Sequence, residues 1–346
     1  MLTEVSMSYC DWVCCMQLLV YVPVLVLGIP LNLAALWKLL SIRHWRESTV
    51  YLLNLIINDT LLLLSLPFKI HAYNRNWELG RPFCSLLESL VYVNVYGSIL
   101  LSVCIAGDRY VALRFPFAAR RLRSPLKAAL ICLLIWTLVF SCSYPVYSLN
   151  HDNTSSSFCF QNFSNRTWEN RWIVVSMETV FCCSTVVMVF CSVQVVRLLR
   201  DLRKRNPNDP KLRNNKSVKI VLSNLLAFLI CFIPYHIAAL LYFHYKSSRV
   251  GSEFMRQLRY FVHSSLCVGS VNCLADGACY YFILKENLHA AKLERRATLQ
   301  STQIRYINVQ SHNQSTRVTV REASEESRDA QMLKNGSFND SITGKN

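Results

Sequence analysis

Long apolar runs separated by short polar segments dominate residues 12–284 of the chain. A helix needs about 20 predominantly apolar residues to cross the hydrocarbon core of a bilayer. By this criterion the pattern predicts seven spans, and none of them contains more than one acidic residue. The predicted spans are residues 12–37, 48–68, 85–107, 128–150, 172–196, 220–243 and 260–284.

The expected fold class is all-α, a seven-transmembrane helix bundle followed by a short amphipathic helix at the membrane surface. The segment beyond that helix is polar and rich in Ser and Thr, which is typical of disorder. We therefore expect a short extracellular N-terminus at 1–11, the helix bundle at 12–284, the amphipathic helix at 285–296 and a cytoplasmic tail at 297–346.

Composition and charge agree with a membrane protein. Hydrophobic residues make up 52% of the 346 positions and charged residues only 17%, which is too apolar for an ordinary soluble domain. The net charge is +16, and Lys and Arg concentrate in the loops after spans one, three and five. Because basic short loops stay cytoplasmic, the N-terminus is predicted outside and the tail inside. This placement explains much of the charge, so no nucleic-acid partner is expected.

The predicted topology has two further consequences at the outer side. No cleaved signal peptide is expected, because Glu4 and Asp11 precede a first apolar run that is too long for one. Glycosylation triplets begin at Asn153, Asn162 and Asn165, all in the loop between spans four and five. That loop is predicted to be extracellular, so these three residues are candidate glycosylation sites.

The fifteen cysteines fall into different environments. Most lie within the predicted spans, where they are expected to act as small apolar packing residues. Two stand apart, Cys84 at the outer start of span three and Cys159 in the loop after span four. Both face an oxidising compartment, and a disulfide between them would hold that loop over the bundle. The pairing of the external Cys10, Cys14 and Cys15 stays open.

Short motifs occur at corresponding depths of the spans, namely Asn32, Asn54 with Asp59, Cys84, Asp108-Arg109-Tyr110, Trp136, Phe232-Ile233-Pro234 and Asp276 with Tyr280. Together they resemble the motifs of class A, or rhodopsin-like, G-protein-coupled receptors. The resemblance extends over nearly all of residues 12–296 and implies a signal-transducing receptor of the plasma membrane, not an enzyme.

Further motifs lie at residues 65–69, 96–98, 122–125, 167–168 and 279–282. Within class A they are most similar to those of lysophosphatidylinositol receptors, and the kynurenic acid-linked orphan receptor is the next most similar. This resemblance implies an anionic lysophospholipid ligand and Rho-coupled or calcium-mobilising G proteins. A small anionic metabolite or a nucleotide is the alternative ligand. Arrestin is an expected partner through Ser324 and Ser327 of the tail, and a plain solvated tail is the alternative.

The resemblance assigns the G-protein switch to Asp108, Arg109, Tyr110 and Tyr280. The alternative for Arg109 is a simple anchor at the membrane boundary. Because no acid lies at the cytoplasmic start of span six, we expect no salt bridge from Arg109 to that span and assign its restraint mainly to Asp108. Spans five and seven lack prolines that the family usually has, which leaves the local helix geometry there open.

A second predicted site lies at mid-membrane depth, where an unpaired carboxylate is costly. Two acids with neighbouring hydroxyl and amide oxygens could hold an allosteric sodium ion or share a proton. A hydrogen-bonded packing network without an ion is the alternative. The residues of this site are Asp59, Asn94, Ser98, Asn272 and Asp276.

The predicted ligand site lies near the outer ends of the spans. Lys69 and Glu88 could form an ion pair with each other or bind the ligand, and one role does not exclude the other. Basic side chains at the entrance would bind the anionic head group of a ligand, and the aromatic cavity below them would hold its apolar tail. The residue Val91 occupies the position of the Asp in amine receptors, which disfavours an amine ligand. The remaining candidates are Tyr92, Tyr96, His236, Arg256, Arg259 and His263.

Two other classes of membrane protein fit the sequence less well. A transporter would usually show duplicated halves, and the sequence contains no such repeat. An intramembrane aspartyl protease needs two facing acids, which Asp59 and Asp276 could supply. Neither acid has the Gly-x-Gly-Asp setting of those proteases, so both classes are distant alternatives.

Overall fold

The computed structural model describes residues 2–42, 45–72, 77–151, 159–160, 171–207, 216–246, 252–278 and 328. Regular secondary structure in these ranges is helical throughout. The helices are α1 (Leu2–Leu40), α2 (Glu47–Ala72), α3 (Arg81–Arg114), the short α4 (Pro116–Leu122), α5 (Pro125–His151), α6 (Arg171–Arg205), α7 (Lys216–Lys246) and α8 (Ser252–Ser270).

Six of these helices are long and apolar enough to cross a membrane, namely α1, α2, α3, α5, α6 and α7. They correspond to the first six predicted spans. The predicted seventh span, 260–284, coincides with the end of α8, a turn at Val271 and helical residues 272–278. Residues 279–284 of that span lie outside the described residues.

The helices close into a ring around α3. Helix α3 packs against α2, α5, α6 and α7, while α8 contacts both α7 and α1 and so completes the ring. In the most apolar stretch of each helix, 67% of the residues of α2 and 61% of those of α3 are buried. The corresponding share is only 28% in α1 and in α5. Helices α2 and α3 therefore face the interior over more of their surface than α1 and α5 do.

Large apolar side chains lie on the outside as well as in the core. Leu133 and Leu134 on α5 are 61% and 69% exposed, while Leu55 and Ile99 in the interior are fully buried. In a soluble protein such an apolar surface would be exceptional. Here it is the expected contact with lipid.

Prolines occur inside four of the spanning helices, where neighbouring helices can compensate for the lost backbone hydrogen bond. Helix α6 contains none and is continuous from Arg171 to Arg205. The absence of the usual proline, where Thr185 lies, therefore leaves an unbroken helix. The start of α3 is set by Gly80, which has a positive φ of 82°, and by a proline in the first turn.

Helix α1 begins at Leu2, so most of the predicted N-terminal segment 1–11 is helical. Other predictions concern residues outside the described ranges. These are the amphipathic helix 285–296, Tyr280, the glycosylation candidates Asn153, Asn162 and Asn165, and the tail with Ser324 and Ser327.

Candidate functional site

The bundle has two ends that matter for function. We call the end where α2 finishes and α3 begins the Cys84 end, and the opposite end the Arg109 end. The predicted disulfide between Cys84 and Cys159 is confirmed. It joins two residues that are 75 positions apart, and it fixes residues 159–160 against the start of α3, beside Ala72 and Trp77.

Lys69 is the buried cation of the Cys84 end. Its side chain lies in the last turn of α2 and the residue is only 5% exposed. The ammonium group lies over the rings of Tyr21, at 5.4 Å, and of Phe160, at 5.5 Å. The predicted Lys69–Glu88 ion pair is not among the ion pairs of the described residues, although Glu88 lies within electrostatic reach of Lys69.

Glu88 instead contacts the loop that the disulfide holds. Its carboxylate oxygen Oε1 accepts a hydrogen bond of 3.0 Å from the backbone N–H of Phe160. Phe160 thus links the two predicted partners, because its backbone binds Glu88 and its ring covers Lys69. Sequence reasoning missed Tyr21 and this role of Phe160, since neither has a charge that demands a partner.

Further basic side chains come from α8. His263 lies within electrostatic reach of both Arg259 and Lys69, which places these three predicted residues near one another. Arg256 forms an ion pair with Glu253 one turn away. The Cys84 end therefore contains the cationic side chain of Arg259 in addition to the buried ammonium of Lys69.

A polar cluster lies deeper, between α3, α6 and α7. His236 Nδ1 is 3.1 Å from Glu178 Oε1, and the imidazole stacks on Phe181 with the ring centroids 3.6 Å apart. Tyr96 meets His236 edge to face. In the described part of the chain, the Tyr96 hydroxyl, Glu178 Oε2 and His236 Nε2 are buried without a hydrogen-bond partner.

Sequence reasoning found Tyr96 and His236 but did not assign Glu178 or Phe181 to a site. The available signal was that Glu178 is the only acid in its span. A buried acid in a membrane requires a partner, and a histidine on a facing helix is a suitable one.

A small cavity of about 70 Å³ lies beside this cluster, between α3, α5 and α6. Its walls are largely apolar, and they include both predicted tyrosines of α3. The lining residues include Tyr92, Tyr96, Leu138, Cys142, Met177 and Val180.

The predicted mid-membrane network divides into two parts. Asn58 Nδ2 donates hydrogen bonds to Ser98 Oγ, at 2.9 Å, and to the carbonyl of Asn94, at 3.0 Å. Asn94 returns a hydrogen bond to the carbonyl of Asn58. Sequence reasoning missed Asn58, which is completely buried and joins α2 to α3 at this depth.

The second part contains the two acids. Asn272 Nδ2 donates a hydrogen bond of 2.6 Å to Asp276 Oδ2, and Asp276 lies within electrostatic reach of Asp59. Asp59 is 0% exposed, and neither of its carboxylate oxygens has a hydrogen-bond partner among the described residues. Oxygen ligands of this kind are suited to a hard cation.

At the Arg109 end, the carboxylate of Asp108 is bound from two other elements. Arg123 donates to both of its oxygens, and Ser48 Oγ donates to Oδ2, each at 2.8 Å. Arg123 also contacts Glu47 at 3.2 Å. This cluster ties the end of α3 to the start of α2, and sequence reasoning did not assign Arg123, Ser48 or Glu47 to it.

The two residues that follow Asp108 belong to the same end of α3. Arg109 is partly buried, and Tyr110 contacts Phe190 on α6 edge to face, with the centroids 5.6 Å apart. Tyr280, the fourth predicted residue of the switch, lies outside the described residues.

Comparison with known proteins identifies the family. Residues 31–303 match the sequence model of the 7 transmembrane receptor (rhodopsin family). Lysophosphatidic acid receptor 6 from Gallus gallus is 33% identical over 303 residues, which cover 85% of this chain and 96% of the relative.

Two human receptors are also similar to the chain. G-protein coupled receptor 55 from Homo sapiens is 32% identical, with 84% of this chain and 92% of the relative covered. G-protein coupled receptor 35 from Homo sapiens is 33% identical, with 78% of this chain and 84% of the relative covered. The chain is a multi-pass G-protein-coupled receptor of the plasma membrane and belongs to the rhodopsin family of seven-transmembrane receptors.

Proposed function

We propose that this receptor binds an anionic lysophospholipid of the lysophosphatidylinositol type. The carrying observation is Lys69, whose buried ammonium contacts two aromatic faces and has no ion pair or hydrogen bond among the described residues. A cation at this depth of a membrane protein requires a partner. A phosphate group of the ligand would supply one through charge-assisted hydrogen bonds.

The neighbouring residues support an anion at this place. Arg259 adds a second cationic side chain near this place, since His263 lies within electrostatic reach of both Arg259 and Lys69, and two cations favour a bound anion. Two of the similar proteins, from chicken and human, are named as lysophosphatidic acid receptors. The names of these relatives support a ligand that combines a phosphate group with an acyl chain.

The apolar part of the ligand would lie between helices. The cavity beside Tyr92 and Tyr96 is lined by apolar residues of α5 and α6. Next to it, the unsatisfied polar atoms of Tyr96, Glu178 and His236 are available to hydroxyl groups. A lysophospholipid, with one acyl chain and a hydroxyl-bearing backbone, provides groups for both environments.

Signal transmission would involve the centre and the Arg109 end of the bundle. A sodium ion at Asp59 would balance the buried carboxylate, with Asp276 and Ser98 as further candidate ligands. On activation, Arg109 would turn from Asp108 toward a Rho-coupled or calcium-mobilising G protein. Arrestin would bind the tail after phosphorylation.

The same proposal places the N-terminus and the Cys84 end outside the cell. The orientation is tested by an epitope tag at either terminus. Antibody should stain intact cells that carry the N-terminal tag, whereas the C-terminal tag should require permeabilisation. Staining of the C-terminal tag on intact cells would reverse the topology.

The ligand proposal is tested on cells that express the chain, with Rho and calcium reporters. The panel contains lysophosphatidylinositol, lysophosphatidic acid, an uncharged monoacylglycerol, kynurenic acid and nucleotides. We expect a response to lysophosphatidylinositol that Lys69→Met removes. The matched control is Lys38→Met, because Lys38 also lies over an aromatic ring, at 4.9 Å from Trp37, but on the Arg109 side of α1.

The pattern of responses decides between the ligand classes. If the monoacylglycerol acts as strongly as lysophosphatidylinositol, the phosphate is unimportant and the proposed role of Lys69 is wrong. If only kynurenic acid or a nucleotide acts, the ligand is a small anionic metabolite. Equal losses in Lys69→Met and Lys38→Met would show that neither lysine is specific to the ligand.

A further inference from the structure

Phe160 has an unusual backbone conformation. Its φ is 66°, and it is the one residue other than glycine with a positive φ among those that the structure describes. A bulky side chain is rarely found in this left-handed region. Such a conformation persists only where surrounding contacts impose it.

Three contacts hold Phe160 in place. The preceding residue, Cys159, is tied to Cys84 by the disulfide. The backbone N–H of Phe160 donates to Glu88 Oε1, and its ring lies 5.5 Å from the Lys69 ammonium. The covalent and hydrogen-bonded contacts thus hold the backbone in a conformation that places the aromatic face next to the cation.

We propose that Phe160 is a built-in competitor for the anion site, whose ring covers the Lys69 ammonium until a ligand anion displaces it. This inference rests on the proposed function and adds a residue that sets its specificity. The ring comes from a loop at the Cys84 end, where α2 finishes, and Lys69 lies within the last turn of α2. Phe160 and Lys69 therefore lie at the same end of the bundle, the end from which the ligand would approach.

The competition discriminates between ligands by charge. An aromatic face attracts a cation through its quadrupole but accepts no strong hydrogen bond, whereas an ammonium group has three donors to satisfy. A phosphate provides full charge and hydrogen-bond acceptors, so it gains more from Lys69 than the ring does. An uncharged lipid provides neither, so it cannot displace Phe160.

The first experiment measures how well Phe160 covers Lys69. Purified receptor is treated with a water-soluble amine-acylating reagent, and modification of Lys69 is measured by mass spectrometry. We expect modification to rise severalfold in Phe160→Ala and in Phe160→Leu, which keeps an apolar side chain in case the alanine variant folds poorly. Lysophosphatidylinositol should protect Lys69 in the Leu variant.

The matched control is Phe83→Leu. Phe83 lies at the same end and contacts Phe68 and Trp77, with centroid distances of 5.2 and 6.0 Å, but its ring does not cover Lys69. We expect wild-type labelling of Lys69 in this variant. Unchanged labelling in both Phe160 variants, or an equal rise in Phe83→Leu, would overturn the inference.

The second experiment measures signalling. The concentration of lysophosphatidylinositol for half-maximal response should fall by about tenfold in Phe160→Leu, the size expected for loss of one cation–π contact. Monoacylglycerol should gain no potency. In a Lys69→Met background, Phe160→Leu should no longer increase potency; an increase that persists there contradicts competition at Lys69.

The two experiments separate this inference from the proposed ligand. If no lysophospholipid activates the receptor, the proposed function is wrong. The labelling of Lys69 in the Phe160 variants needs no ligand, and it still decides whether the ring covers the cation.

Discussion

Arg123 donates two parallel hydrogen bonds to Asp108, from Nε to Oδ1 and from Nη2 to Oδ2, each of 2.8 Å. This bidentate geometry is the strong form of an arginine–carboxylate contact. Ser48 adds a third hydrogen bond to Oδ2. Both oxygens of the acid that precedes Arg109 are therefore bound by side chains of other elements.

The first prediction concerns Arg123→Gln. Because Arg123 occupies the carboxylate, its removal should leave Asp108 better able to hold Arg109, and ligand-independent signalling should fall. The expected decrease is roughly two- to fivefold, the range for a partly exposed ion pair. It is measured with Rho and calcium reporters at matched surface expression.

Two further variants control this prediction. Arg123→Lys keeps the charge but loses the bidentate geometry, so it should lie between wild type and Arg123→Gln. In an Asp108→Asn background, Arg123→Gln should have little further effect. An increase in basal signalling in Arg123→Gln alone would mean that the contact restrains the receptor.

The helices were predictable from the sequence because a membrane span has a required length and composition. The first six predicted spans each correspond to a helix, and the main differences are helix ends that continue beyond the predicted apolar stretch, as at Arg205 of α6. Hydropathy finds the lipid-facing stretch but not such polar extensions. The disulfide was predictable because few cysteines lay outside the spans.

The partners of the site residues were less predictable. Lys69 and Glu88 have opposite charges and similar depth, which suggested a direct ion pair. In the structure Phe160 contacts both residues, with its backbone N–H bound to Glu88 and its ring over Lys69. Such contacts could not be predicted from the pattern of charged residues, because neither a backbone N–H nor an aromatic ring carries a net charge. Asn58 was missed for a similar reason, because any of the amides in α2 could have faced α3.

The second prediction concerns a sodium ion at Asp59. A cation that binds only the folded receptor raises its stability by about 1.4 kcal/mol at ten times its dissociation constant. The melting temperature of purified receptor should therefore be higher in sodium chloride than in N-methylglucamine chloride at equal ionic strength. Asp59→Asn should remove the difference.

The control for Asp59 is another buried carboxylate. Glu178→Gln should retain the sodium dependence, since Glu178 lies in the cluster with His236 and not beside Asp276. If wild type melts at the same temperature in both salts, the unsatisfied carboxylate of Asp59 is not a sodium site. A proton shared with Asp276 would then be the remaining way to neutralise it.

The third prediction concerns the close approach of α2 and α3. A Cβ atom at Gly97 would lie 2.5 Å from Asn58 Oδ1, so Gly97→Ala must displace the Asn58 side chain from Ser98. We expect a loss of about 1–3 kcal/mol, typical of overpacking, and a lower melting temperature. Gly107 on the same helix has no atom within 4 Å of an added Cβ.

That second glycine provides the matched control. Gly107→Ala should be neutral or stabilising by up to about 1 kcal/mol, because alanine favours the helix. Equal destabilisation by Gly97→Ala and Gly107→Ala would indicate a general intolerance of α3 to substitution. It would not support a specific clash with Asn58.

The fourth prediction concerns the contact between Glu178 and His236. His236→Phe preserves an aromatic ring for stacking on Phe181 but leaves the Glu178 carboxylate buried without its imidazole partner. Breaking a buried polar pair by removing one member is costly, about 3–5 kcal/mol for a full ion pair. The melting temperature of His236→Phe should therefore fall markedly.

The double variant distinguishes a specific pair from general damage to packing. Glu178→Gln removes the charge that would otherwise be left buried, so the Glu178→Gln/His236→Phe receptor should be more stable than His236→Phe alone. The expected coupling between the two substitutions is about 0.5–3 kcal/mol. Strictly additive losses would mean that the 3.1 Å contact contributes nothing, and that His236 stabilises the bundle only through its stacking on Phe181.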